Sequence, residues 1–251
     1  MTRPLFDASL LPVRHARARA LNGDYFLHER AFAECLDRIA TVRKRFESAW
    51  LLGPDRPGWR ERLSSIGVTR LAFNGPENDE LPTFAAELCV SIGILDTIED
   101  LPALLVGLRH LLAPGALFIG AFTGGKSLPM LRSAMASADR TEGLARPHFH
   151  PLIDPASFGG LLASAGFADP VVDVDRVTLS YENLPALVRD LRAMAATNRL
   201  IERPRTPVAR RGIAAAKKDF EARASKGRTN EIVEITYFAG WTPIVGNISD
   251  G

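Results

Sequence analysis

The chain has 251 residues, 46% hydrophobic and 24% charged, with a net charge of +2. That is enough apolar sequence for one large domain or two small ones, with a charge balance that calls for no polyanionic partner. No apolar run approaches the ~18 residues of a membrane span. The first residues lack the apolar stretch of a signal peptide. Arg14, Arg17 and Arg19 read as a basic, solvated helix face rather than a transit peptide. Cys35 and Cys89 lie far apart in apolar surroundings, as free thiols in a reducing, cytoplasmic setting would.

Phe32, Cys35, Leu36, Ile39, Val42 and Phe46 recur at three- and four-residue steps, which predicts a helix over His28–Arg45. Ser48–Leu52 is a short apolar strand, ended by the turn Gly53-Pro54-Asp55-Arg56-Pro57-Gly58. Trp59–Ser65 reads as a short helix, and Val68–Phe73 as a second strand, closed by Asn74-Gly75-Pro76. The most informative stretch is 88–125. Its apolar run Leu88–Leu95 ends in the acidic turn Asp96–Asp100, then come a helix, the turn Ala113-Pro114-Gly115, and a second apolar run, Ala116–Phe122. Strand, crossover helix, strand is one right-handed unit of a parallel sheet. Ser127–Ala138 and Pro155–Ala165 look helical, the second ending at Gly166. Val171–Tyr181 is rich in β-formers. Leu184–Ala196 is an amphipathic helix, and Glu231–Trp241 is a closing strand.

Strands and helices alternate from 46 to about 180, the mark of a doubly wound α/β fold with ligands at the strand carboxyl ends. The expected organisation is a single domain. Residues 1–45 form a helical cap, 46–180 the sheet core, 184–228 a helical basic insert, and 231–241 the last strand.

Three motifs invite chemistry. Gly120–Ser127 (GAFTGGKS) matches the phosphate loop G-x-x-x-x-G-K-[ST] and follows a strand, so a nucleotide is a minor alternative. Against it, no run of four apolar residues ending in Asp follows at a sensible place, Val171-Val172-Asp173 being too short, and Pro129 sits where the phosphate helix should begin. His148 and His150 could ligate a metal, but only Asp154 stands near at ligand spacing. Two solvated histidines in a surface loop are the expectation, with no metal. Arg203, Arg205, Arg210, Arg211, Lys217, Lys218, Arg223, Lys226 and Arg228 make 203–228 basic. Without interleaved aromatics this reads as a solvated helix pair, open to a protein partner, with nucleic acid disfavoured.

The element order resembles that of class I S-adenosylmethionine (SAM) dependent methyltransferases. The motifs are similar to the alphaproteobacterial and mitochondrial group that includes the methyltransferase-like assembly factors of NADH dehydrogenase. They are more distantly similar to biotin-pathway carboxyl methyltransferases. The residues that carry the likeness are Leu5-Phe6-Asp7 with Arg14, Arg17 and Arg19; Asp79-Glu80-Leu81-Pro82; Asp100-Leu101-Pro102; Leu112-Ala-Pro-Gly115; Gly124-Gly125; Ala165-Gly166-Phe167; Val171–Arg176; Arg189–Met194 with Asn198; and Gly240-Trp241 with Pro243. The resemblance implies a Rossmann-like seven-stranded sheet with N-terminal helices and a helical insert before the last strand. It implies SAM as cofactor, with contacts at Gly53, Asp55, Asn74, Asp79, Glu80 and Ser91, and methyl transfer to a small-molecule or protein acceptor. Methyl transfer from an activated sulfonium needs positioning more than acid–base groups. His150, Tyr181 and Arg192 are the polar candidates near the expected mouth.

Departures from the pattern leave a second possibility. The family's acidic residue two before the first glycine is Leu51 here, and its later glycines are Asp55 and Pro57. The acidic end of the second strand is Asn74, and the pair after the fourth strand is Asp96-Thr97. A homologue that keeps the fold but has a degenerate cofactor site would act as a scaffold or assembly factor.

Overall fold

The computed structural model describes residues 4–75 and 83–244. In chain order the elements are α1 (Leu10–Ala20), α2 (Phe26–Thr41), β1 (Ser48–Leu52), α3 (Trp59–Ser65), β2 (Arg70–Asn74) and β3 (Leu88–Ile92). A 3-10 turn at Leu95–Thr97 leads into α4 (Leu101–Leu111), β4 (Leu117–Gly124), α5 (Pro129–Glu142), α6 (Pro155–Ser164) and β5 (Ala168–Tyr181). The chain then forms α7 (Leu184–Ala193), α8 (Arg210–Glu221) and β6 (Thr229–Trp241).

The strands form one six-stranded sheet in the order β2-β1-β3-β4-β6-β5. β2, β1, β3 and β4 are parallel to their neighbours, with Leu52 opposite Asn74 and Ser91 opposite Gly120. β6 turns the other way. Thr242, just past its end, exchanges backbone hydrogen bonds with Ala116 (2.9 Å) and Gly115 (3.2 Å), just before the start of β4. Gly240, near the end of β6, also packs against Phe167 and Ala168 at the start of β5. The sheet is therefore mixed. It is an α/β sheet as expected, but it holds six strands among the described residues rather than the expected seven.

Burial follows sheet position. β3 is buried at every residue and β4 at all but one, as strands covered on both faces must be. The edge strands β2 and β5 alternate or stay half-exposed.

The chain divides into two compact units. One gathers Leu27–Thr123, Ile153–Asp175 and Ile235–Gly251. Its core is aromatic: Phe122 meets Phe158 at 4.8 Å between ring centroids, and Phe118 meets Phe238 at the same distance. Leu105 and Leu108 from α4, Leu112 just past its end and Leu162 from α6 pack around these rings. The other unit gathers Met1–Phe26, Gly124–Leu152 and Arg176–Glu234. Here Leu131, Ala134 and Ala138 of α5 pack with Leu184 and Leu187 of α7 and with Ala216 and Phe220 of α8. The basic insert thus buries a stripe of α8 and leaves its arginines and lysines outside, as an amphipathic helix does.

Candidate functional site

In the first unit, the β1–α3 turn lies at the carboxyl end of β1. Gly53 has φ +150°, and a Cβ there would sit 2.6 Å from the Ile92 carbonyl oxygen. Only glycine fits that close approach of two strand ends. Its N–H donates to the Asn74 carbonyl at 3.1 Å, which ties the exits of β1 and β2 together. Two residues on, the Asp55 carboxylate accepts a hydrogen bond from Arg60 at 3.2 Å. The Arg60 guanidinium also lies 5.2 Å from the Phe73 ring centroid. Glu29 of α2 pins the start of α3 by accepting the Trp59 indole N–H at 2.9 Å, with Arg56 and Arg62 close by. Ser91 Oγ, on β3, is buried without a hydrogen-bond partner among the described residues. Leu51 is fully buried inside β1.

Gly53, Asp55, Asn74 and Ser91 therefore stand at or near the ends of three adjacent strands, the place a ligand of an open α/β sheet occupies. Asp79 and Glu80 lie outside the described residues. The donor set matches a SAM-type ligand only in part. Gly53 and the orphaned Ser91 hydroxyl suit close approach of a cofactor. Leu51 offers no carboxylate, Asp55 is engaged by Arg60, and Asn74 is neutral.

The other candidates lie in the second unit. His150 is half-buried, and its Nε2 accepts the Arg199 backbone N–H at 2.8 Å, which leaves Nδ1 to carry the proton. Burial, with the Arg199 charge adding to it, pushes its pKa down to about 4, so the ring is neutral at pH 7. Tyr181 closes β5. Burial, then the neighbouring Asp190, holds its phenol well above the ordinary range. Arg192 is exposed in the last turn of α7. The expectation of two solvated histidines is corrected here. His148 is hydrogen-bonded to Asp139 at 3.0 Å, and His150 is packed edge-on against Phe6. No cluster of three or more metal-ligating residues occurs among the described residues.

The phosphate-loop alternative is also corrected. The Lys126 N–H, which would have to face a phosphate, donates instead to Glu234 Oε2 at 2.8 Å. A Cβ on Gly125 would collide with the same carboxylate. Met130 and Leu131, the first free N–H groups of α5, donate to Glu231 at 3.1 and 2.8 Å. The chain's own acids fill the anion positions of the loop. Glu231 and Glu234 went unnoticed in the sequence, although two carboxylates three apart in an otherwise apolar strand were the visible anomaly.

The strand order of the sheet, with a reversed strand beside its edge, is that of the class I methyltransferase fold. No family model matches the chain. A candidate methyltransferase from Bacillus halodurans C-125 shares the fold, with a TM-score of 0.53 at 10% identity, covering 84% of this chain and 98% of that one. Among curated relatives, the malonyl-acyl-carrier protein O-methyltransferase of Xylella fastidiosa is 39% identical over 150 residues, 59% of this chain and 49% of that protein. The mitochondrial arginine-hydroxylase NDUFAF5 of Danio rerio is 28% identical over 246 residues, 87% of this chain and 75% of that protein. Its counterpart in Rattus norvegicus is 36% identical over 197 residues, 69% of this chain and 57% of that protein. The chain is thus similar in sequence to both groups. It spans about half the length of the malonyl-acyl-carrier protein relative.

Proposed function

We propose that this chain keeps the methyltransferase fold with a weakened or lost SAM site, and acts as a scaffold or assembly factor rather than as a methyl-transfer enzyme. The observation that carries the reading is the polar inventory at the ends of β1 and β2. Leu51 is buried where the resemblance implies an acid, the Asp55 carboxylate is bound by Arg60, and the neutral Asn74 stands where the resemblance implies an acidic ribose partner. Each charge-assisted hydrogen bond lost is worth about 1.5–3 kcal/mol. Two such losses weaken a ligand by about two to four orders of magnitude. The names of the relatives point to different chemistries, a methyltransferase and a hydroxylase, so the fold alone does not transmit an activity.

In this reading the 184–228 insert is the surface offered to a protein partner, with nucleic acid disfavoured. A reducing, cytoplasmic setting is supported by Cys35 and Cys89, both free and buried. No helix among the described residues is long and apolar enough to cross a membrane.

Calorimetric titration with SAM is the test. No saturable heat is expected up to ~100 μM ligand, a level that a working site would exceed in affinity. Clear saturation below that level overturns the proposal. It would then favour the second reading, an active methyltransferase, for which Gly53 and the orphaned Ser91 hydroxyl speak. In that case His150, Tyr181 and Arg192 are the residues to vary, with a small molecule or a protein as acceptor.

A further inference from the structure

Behind the β4–α5 turn, wholly within the second unit, lies an open cavity of about 400 Å³. Lys126, Arg132 and His150 line it together with Pro129, Pro151 and Leu152. Its lining residues include two cations and no acid. The two nearby acids are already taken: Glu234 by the Lys126 N–H and by Arg176 at 2.8 Å, Glu231 by three backbone N–H groups. Neither Lys126 nor Arg132 forms an ion pair among the described residues. Arg132 uses its Nε on the Ser127 carbonyl at 3.0 Å and lies over the Phe149 ring at 4.4 Å, so its guanidinium is fixed in direction. Burial holds that guanidinium below its ordinary pKa, with the Glu231 carboxylate only partly offsetting the loss of water. His150, with Nε2 spent on a backbone N–H, presents Nδ1–H as a neutral donor. Two cations and a neutral donor, set among two prolines and a leucine, give the cavity an amphipathic lining.

We infer that this cavity is a binding site for a small organic acid, its carboxylate held by Lys126 and Arg132 and its short apolar body lying against Pro129, Pro151 and Leu152. A bare phosphate would satisfy the cations and waste the apolar wall. The site involves none of the residues at the ends of β1 to β3, so it stands whether or not SAM binds.

The test is thermal unfolding of the full chain in hexanoate, in inorganic phosphate and in chloride at equal ionic strength, on wild type, Lys126→Ala and Lys126→Arg. The Lys126 side chain is exposed, so neither change disturbs the fold in chloride. Hexanoate should raise the melting temperature of wild type above both other salts. Its apparent affinity should fall about tenfold in Lys126→Ala, the loss of one charge-assisted contact, and stay near wild type in Lys126→Arg. Equal shifts in wild type and Lys126→Ala, no shift beyond chloride, or phosphate matching hexanoate would each overturn the proposal.

Discussion

Glu231 is fully buried, and its carboxylate accepts N–H groups from Met130, Leu131 and its own neighbour Ile232. It does for α5 what a capping side chain does at an ordinary helix start, because the residue before α5, Leu128, is left-handed and offers no side-chain oxygen. The helix dipole adds to the attraction. Glu231→Ala would orphan two buried donors at once. It should lower the unfolding free energy by about 2–4 kcal/mol, read as a drop in the urea midpoint with an unchanged slope. A loss under 1 kcal/mol would mean that water replaces the carboxylate. Sequence could not reveal this pairing, since 100 residues separate the acid from the helix it caps and only the sheet brings them together.

Other helices start with local chemistry, and there the sequence was readable. Asp100, Asp154 and Asn183 each accept the N–H of the residue three further on, from Ala103, Ser157 and Ala186, and each is followed within two residues by proline. Cap then proline marks a helix start whatever the tertiary setting. Asn183→Ala should cost about 1 kcal/mol by chemical denaturation, and Asn183→Asp should cost much less. Strand positions were legible for the same local reason: β1 and α3 fall on the expected residues, and β4 begins one residue later than expected. Helix ends were less so. α7 stops at Ala193, three residues early, because Ala195 is left-handed (φ +57°) and its neighbours fold back in a tight turn. α2 ends at Thr41 rather than at residue 45, although Phe46 is buried as its periodicity suggested. The seventh strand, not found among the described residues, was an expectation of the family pattern and not of any apolar run in this chain.

For the molecule as a whole, two imidazoles, His15 buried and His150 half-buried, make stability fall in mild acid. His15, hydrogen-bonded to the Tyr25 hydroxyl at 2.9 Å, and His150 both have pKa values pushed down to about 4 by burial, with the Arg199 charge adding to each. The unfolded chain titrates them near 6.5, so it binds more protons than the folded one between those values. Stability is therefore complete above pH 6.5 and falls as pH drops towards 4. Each histidine contributes a slope of at most about 1.4 kcal/mol per pH unit. His150→Gln should flatten the fall in denaturation midpoint between pH 7 and pH 5; an unchanged slope would show that His150 does not titrate as placed. Neither histidine could be assigned this role in advance, because burial is set by the packing of α1 and of the 146–152 segment rather than by neighbours in sequence. The candidate cofactor residues show the converse. Gly53 was recognisable from its place after a strand, whereas the engagement of Asp55 by Arg60 emerged only with α3 in view.

The Glu234 carboxylate also changes what the glycine-rich turn can respond to. It is joined covalently to the strand beside the loop, so it meets the Lys126 N–H as an intramolecular ligand, at an effective concentration of at least about millimolar. A diffusing nucleotide would first have to evict a group that never leaves and that Arg176 holds from the other side. The turn carries its own anion, so an outside phosphate meets a loop whose Lys126 N–H is already satisfied from within the chain.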